Sequence, residues 1–127
     1  MNNQISEQGL ENYVSLLGFK KNPYPFILHS DIFVMSSLSE GLPTVLCEAM
    51  ILGIPPVVTN CSGCRGLVDY GTYGLMTKPT PESLFGGLKS MIDDSELRYL
   101  YSQKAKKRSK LFKIEHVITE YEKILNL

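Results

Sequence analysis

The residues best suited to chemistry in this chain lie together in one stretch, Glu40-Gly41-Leu42-Pro43-Thr44-Val45-Leu46-Cys47-Glu48-Ala49-Met50. Proline suits the first turn of a helix, because the N–H it lacks has no intrahelical acceptor there and its φ is already helical. Leu46, Ala49 and Met50 follow at helical spacing, and Gly53 with Pro55 and Pro56 provides a stop. This puts Glu40 in the loop at the positive end of a short helix and Glu48 more than a turn inside it. Thr44 and Glu48, at i and i+4, share a face.

From Asn22 to Cys64 there is no Lys or Arg, and Asp31, Glu40 and Glu48 are the only charges. A carboxylate on an otherwise apolar helix, with no cation near it in sequence, needs partners from elsewhere in the fold or from a ligand. Sugar and ribose hydroxyls are suitable, since one carboxylate accepts two such hydrogen bonds. The structural alternative makes Glu40 a helix N-terminal acid favoured by the dipole and Glu48 an acid reaching water. Spacing alone leaves both open.

A chain of 127 residues makes one domain at most, and its 43% hydrophobic content is enough for a core. A formal net charge of zero exerts no global pull toward nucleic acid or anionic lipid. No apolar run approaches the roughly 18–20 residues needed to span a bilayer. Met1-Asn2-Asn3-Gln4 lacks the basic start of a signal peptide, so the cytoplasm is the expected compartment. Cys47, Cys61 and Cys64 form an odd set with no disulfide framework. Cys61-Ser62-Gly63-Cys64 has the gap of a zinc or redox pair. His29 and His116 stand alone, so a four-ligand zinc site is not expected; a redox pair should open a helix, whereas glycines place this one in a loop.

Elements that would position the two acids can be read in order. Ser6–Leu10 reads as the last turn of a helix after a frayed Met1–Gln4, Tyr13–Leu17 as a strand closed by Gly18, and Asn22–Leu28 as a short capped helix. Asp31–Ser36 is a continuous apolar run, as in a strand buried on both faces of a parallel sheet. Pro56–Thr59 is a second such strand, which makes strand–loop–helix–strand a βαβ unit with Glu40 at the carboxyl end of the sheet, where ligands bind. Asn60–Gly74 reads as a glycine-rich loop with one helical turn at Leu67–Asp69, and Gly74–Met76 as an edge element. Helices are expected over Pro81–Asp93, over Ser95 to about Lys110 with Leu97, Leu100 and Tyr101 inward, and over Phe112–Leu125. The expected fold class is α/β, a Rossmann-like parallel sheet with flanking helices.

Lys104, Lys106, Lys107, Arg108, Lys110 and Lys113 cluster without aromatic interleaving, and acids flank them. A solvated helix face is the reading preferred over a nucleic-acid or membrane patch.

Leu38 to Met50 followed by Gly53-Ile54-Pro55 resembles the carboxyl-terminal half of family 4 glycosyltransferases of GT-B architecture. The paired glutamates, in Glu-Gly-x-Pro and Glu-Ala-Met, are that family's signature. Tyr13–Gly18, Asn22–Ile27, Asp31–Ser36, Gly71–Met76 and Phe112–Leu125 are similar to further family segments. The resemblance identifies residues 1–127 as a partial donor-binding, carboxyl-terminal GT-B domain, with residues 111–126 as its closing helix. It implies a nucleotide-diphosphate-sugar donor, UDP-, GDP- or related. Glu48 would hold ribose hydroxyls. Glu40, the catalytic carboxylate, would hold sugar hydroxyls with the N–H groups of Gly41 and Leu42, and Thr44 would help neutralise the diphosphate behind Pro43. Transfer in this family retains anomeric configuration and in general uses no metal or cofactor.

The family's amino-terminal acceptor domain, and the Arg and Lys that clamp the diphosphate, have no counterpart here. Arg65 is a weak substitute, and Gly63-Cys64-Arg65-Gly66 stands where the family has Gly-x-x-Glu, with Asp69 nearby. Two lost charge-assisted bonds would cost about 3–6 kcal/mol of donor affinity. The isolated chain is therefore expected to be inactive, a fragment of a retaining enzyme acting on polysaccharide or glycolipid precursors, peripheral to the inner membrane face at full length. The alternative is a non-catalytic α/β domain that self-associates through exposed sheet edges. No nucleic-acid partner is expected.

Overall fold

The apolar run before Glu40 forms a strand only over its middle. In the computed structural model, which describes residues 1–113 and Lys123, β1 covers Phe33–Met35, β2 Pro56–Thr59 and β3 Leu75–Thr77. All three are parallel in the order β1-β2-β3, with Val34 opposite Val57 and Val57 opposite Leu75. Every residue of the central β2 is buried, as a strand covered on both faces must be. Pro56 is tolerated there because it is the first residue of the strand.

The connection from β1 to β2 is α3, Thr44–Ile51, which buries Leu46, Ala49 and Met50. Pro43 is its N-cap, with φ −76° and ψ 90°, one position earlier than the sequence suggests; Thr44 is the first helical residue. The stop is as expected. Gly53 takes φ +76°, its N–H reaches the Met50 carbonyl at 3.1 Å, and the Ile54 N–H reaches that of Ala49 at 3.0 Å, a glycine-terminated cap that turns the chain into β2. The βαβ reading of Asp31–Thr59 is therefore the architecture of the molecule's centre.

After β2 the structure departs from expectation. The glycine-rich segment is not a loop: Ser62–Val68 forms α4, with Cys61 as N-cap and Cys64 and Val68 buried. Asp69 and Tyr70 then adopt positive φ, 46° and 52°, and end it. The low helix propensity of Gly63 and Gly66 is outweighed by burial of Cys61, Cys64 and Val68, which recur at helical intervals.

Tyr13–Leu17 is not a strand. It is exposed, with Tyr13 at 84%, and no strand lies beside it among the described residues. A β-prone run forms a ladder only where a free edge and a packing face receive it. At the start of the chain, α1 covers Asn2–Glu7, so the first residues are helical rather than frayed, and Gly9 follows at φ +64°. Tyr24–Leu28 is α2, and the Asn22 side chain accepts from the Tyr24 N–H at 3.2 Å.

Two longer helices complete the fold. α5, Pro81–Asp93, is capped by the Thr80 hydroxyl, which accepts from the Ser83 N–H; α6, Ser95–Ser109, is capped by Asp94, which accepts from the Leu97 N–H. α5 lies against β2 and β3, and α6 packs against both α3 and α5. The inward face of α6 is Ala105 and Ser109 rather than Leu100, which is 47% exposed. Small residues let α6 approach closely: the Ser102 hydroxyl donates to the Gly53 carbonyl at 2.6 Å, and the Lys106 stem lies over Gly53. A short 3-10 turn, Lys110–Phe112, follows α6; the rest of the expected closing helix, 111–126, falls outside the described residues apart from Lys123.

One core joins these elements. Leu46, Met50, Val58, Cys61, Cys64, Val68 and Ala105 are packed together, with Phe33, Met35, Tyr73 and Phe112 against them. α4 is thus bound into the same core as α3, which fixes the two loops that follow β1 and β2 relative to each other.

Candidate functional site

Glu40 sits in the loop between β1 and α3, half-buried, at the carboxyl end of the sheet. One carboxylate oxygen, Oε1, accepts from the Ser37 hydroxyl at 2.6 Å. The Ser37 carbonyl in turn accepts from the hydroxyl of Thr59, a 2% exposed residue at the end of β2. Glu40 is held through its backbone as well. Its carbonyl accepts from the Gly63 N–H at 3.1 Å and from the Ser62 hydroxyl at 3.1 Å, both at the start of α4. The β1–α3 loop is therefore fastened from both the strand and the helix that follow it.

Glu48 is half-buried on α3. Its Oε1 accepts from the Tyr24 hydroxyl at 3.3 Å, and Tyr24, Glu48, Ile51 and Leu52 line a cleft of about 320 Å³. Neither acid is paired with a cation among the described residues; Lys89 pairs with Asp93 within α5. Oε2 of Glu40 and Oε2 of Glu48 have no protein partner among the described residues. Each acid thus keeps one oxygen pinned by a hydroxyl and one available.

The other expected site residues lie between them in sequence, and neither they nor Glu40 line the cleft at Glu48. Gly41, Leu42 and Thr44 are exposed, and Leu42 is 69% so, while Pro43 is buried against the start of α4. The N–H of Leu46 bonds to the Pro43 carbonyl at 3.0 Å, closing the first turn; Gly41, Leu42 and Thr44 have no protein acceptor for theirs among the described residues. A second cleft, about 230 Å³, opens at the carboxyl ends of the strands between Ser36, Thr59, Pro79, Thr80, Pro81 and Leu84.

Sequence reasoning missed Tyr24, Ser37, Thr59, Ser62 and Gly63. Tyr24, Ser62 and Gly63 reach the acids from positions distant in sequence, and Thr59 acts through the Ser37 carbonyl. Ser37 carried one usable signal, lying three residues before Glu40 in a polar loop.

The ground for setting aside a redox role for Cys61 and Cys64 also changes, because the pair does open a helix after a strand. Its chemistry is nevertheless that of core thiols. Both are buried, and Cys64 donates toward the Met35 thioether at 3.6 Å. Burial, then the Cys61 hydrogen bond and the nearby Cys61 and Glu40 charges, push the Cys64 thiol from 9.0 up to about 12. A thiol so raised supplies almost no thiolate at neutral pH. Burial also raises Cys47. No helix among the described residues is long and apolar enough to cross a membrane.

The basic run is more specific than a solvated face. Arg108 Nε donates to the Leu67 carbonyl at 3.1 Å and its Nη2 to that of Gly66 at 2.8 Å, while the guanidinium lies 5.2 Å from the Tyr73 ring centroid. Arg108 therefore caps the carboxyl end of α4, where cations are favoured. Lys104 lies over Tyr101 at 5.2 Å.

Comparison with known proteins bears on the family and the fold. The model of the family described as "Glycosyl transferases group 1" matches residues 1–108. The uncharacterized glycosyltransferase MJ1059 of Methanocaldococcus jannaschii is 36% identical, over 95% of this chain and 37% of its own length. An N-acetylgalactosaminyltransferase of Campylobacter jejuni, named for a diphospho-undecaprenol-linked acceptor, is 40% identical over 85% of this chain and 30% of its own length. Among solved structures, Anabaena Alr3699/HepE in complex with UDP superposes with a TM-score of 0.89 at 26% identity, covering 98% of this chain and 35% of that one. The same protein has been solved with UDP-glucose, and there the TM-score is 0.83. This chain spans about a third of the length of each of these relatives. With its parallel sheet, its paired glutamates and a family match over most of its length, the chain belongs to the group 1 glycosyl transferases of GT-B architecture.

Proposed function

We propose that residues 1–127 supply part of the nucleotide-sugar donor site of a retaining glycosyltransferase. Glu48 takes the ribose hydroxyls, and Glu40 takes hydroxyls of the transferred sugar beside the reacting carbon. The N–H groups of Gly41 and Leu42 serve the same sugar. Thr44, the first residue of α3, faces the diphosphate where the helix dipole favours negative charge. Pro43 sets the turn. No metal or cofactor is assigned a role.

The observation that carries this reading is the state of the two carboxylates. Each is oriented by one protein hydroxyl, unpaired with any cation among the described residues, and left with an oxygen for an incoming hydroxyl. Both acids are half-buried. Support for a uridine nucleotide comes from the likeness to Alr3699/HepE, solved with UDP and with UDP-glucose. The Campylobacter relative's name supports a lipid-linked sugar as acceptor, which would bring the full-length protein to the cytoplasmic membrane face. Because residues 1–127 span about a third of the length of the relatives they match, the reading assigns them donor binding and not, by themselves, sugar transfer.

Saturation-transfer NMR with UDP and GDP tests the assignment. Wild-type protein should saturate the ribose protons of at least one nucleotide, and Glu48→Ala should weaken that contact about tenfold, the value of one charge-assisted hydrogen bond. Absence of contact with either nucleotide refutes the reading. A second reading, self-association without catalysis, is favoured by one observation: Tyr13, Leu16, Leu17 and Phe19 are exposed, Phe19 at 93%. A concentration-dependent sedimentation coefficient abolished by Phe19→Ser would support it.

A further inference from the structure

The loop that carries Glu40 is met closely from α4 by a residue with no side chain. Gly63, the second residue of α4, donates its N–H to the Glu40 carbonyl, and the adjacent Ser62 hydroxyl donates to the same oxygen. A Cβ at Gly63 would stand 2.4 Å from the Gly41 carbonyl oxygen, 2.7 Å from that of Glu40 and 3.0 Å from Pro43 Cδ. Two of these three obstacles are main chain, so no side-chain rotation relieves them. Gly66, in the same helix, has nothing within 4 Å of its would-be Cβ. The contact is therefore particular to Gly63 and not a general consequence of helix packing.

We propose that Gly63, with the Ser62 hydroxyl, is a positioning residue for Glu40: it sets where the Glu40-Gly41 backbone stands and hence where the Glu40 carboxylate meets the donor's sugar. The inference rests on the donor-site reading above and adds to it a determinant contributed by a different βα unit. The carboxylate is steered from two sides. Ser37 holds Oε1, anchored in turn by Thr59 on β2, while Gly63 and Ser62 hold the main chain of the same residue from α4. Glu48 lies just over one turn into α3 and takes its partner from Tyr24, outside this network. Displacing the Glu40 loop should therefore disturb the sugar end of the ligand and spare the ribose end.

The test is epitope mapping by saturation-transfer NMR with UDP-glucose, read as the ratio of glucose-ring to ribose saturation. Gly63→Ala should lower that ratio on the order of threefold or more, as expected when an oriented group moves by about an ångström. Gly66→Ala should leave it unchanged. Ser62→Ala removes one of the two donors and should lower the ratio to a lesser degree, with Ser62→Thr, which keeps the hydroxyl, restoring it. A general loosening would reduce both sets of protons alike and leave the ratio constant; that outcome overturns the proposal. If Gly63→Ala does not fold, the Ser62 pair decides by the same ratio. Wild-type protein that saturates neither proton set refutes the donor reading itself, and one that saturates ribose but not glucose removes Glu40 from the donor site. In both of those cases this inference falls with its premise.

Discussion

Arg108 is expected to be worth more than any other member of its basic run, and the difference can be worked from its contacts. Arg108→Met keeps an apolar stem over Tyr73 but deletes the hydrogen bonds to the Leu67 and Gly66 carbonyls and the cation–π contact. Hydrogen bonds from a charged donor contribute about 1.5–3 kcal/mol each when desolvated. Arg108 is only half-buried and the Gly66 bond is exposed, so water replaces part of what is lost, and about half of that value survives. Two such bonds give about 2 kcal/mol, and a partly exposed cation–π contact adds about 0.5 kcal/mol. With a urea slope of about 1–3 kcal/mol/M, the unfolding midpoint should fall by roughly 1 M. Lys107→Met, at the exposed neighbouring position, should change stability by less than about 0.5 kcal/mol. Equilibrium urea unfolding followed by circular dichroism measures both. Equal losses in the two variants, or a negligible loss in Arg108→Met, would refute the assignment of Arg108 as the α4 cap. Because α4 holds the Glu40 carbonyl at its other end, the same substitution should also weaken glucose contact in the UDP-glucose experiment.

Two further outcomes follow from single positions. In α5, Gly87→Ala should destabilise by about 1–3 kcal/mol, since its Cβ would stand 2.6 Å from Thr77 Cγ2, whereas Gly86→Ala meets nothing within 4 Å and should stabilise by about 0.5–1 kcal/mol; thermal melts of the two variants check the contrast. The raised Cys64 thiol binds its proton more tightly in the folded state, so its contribution to stability is complete below pH 9 and is lost as pH rises from 9.0 toward 12; urea midpoints measured upward from pH 8.5 should decline, and the decline should be shallower in Cys64→Ala.

Much of the fold from Asp31 to Asp93 was legible because its signals are local. Asp31–Ser36 and Pro56–Thr59 announce strands by uninterrupted apolar character, although burial on both faces holds only for Pro56–Thr59, since Val34 in β1 is 41% exposed; Gly53 announces the end of α3 by the positive φ it adopts. Thr80-Pro81-Glu82 announces α5 by its cap. These features depend on neighbours within a few residues, which a one-dimensional pattern records. The errors are of another kind. Tyr13–Leu17 has the residues of a strand, but strand formation needs a partner edge, and composition cannot report one. Ser62–Val68 has the glycines of a loop, yet burial of Cys64 and Val68 in the shared core makes it a helix. Leu100 reads as inward by periodicity, but α6 meets the core through Ala105, packed with Leu46, Met50 and Val58, and Leu100 is 47% exposed.

The sequence by itself determined which chemistry is available: two carboxylates on one short βα segment, with no Lys or Arg from Asn22 to Cys64, in a fold whose ligands lie at the carboxyl ends of strands. Only the tertiary structure decided how those carboxylates are held. Tyr24 reaches Glu48 across 24 residues, and Ser62 and Gly63 reach Glu40 across 22 and 23. Hydrogen bonds of that kind carry no periodicity and depend on which surfaces the packing of α3 and α4 into one core brings within about 3 Å, a quantity set by three-dimensional complementarity rather than by the order of residues along the chain.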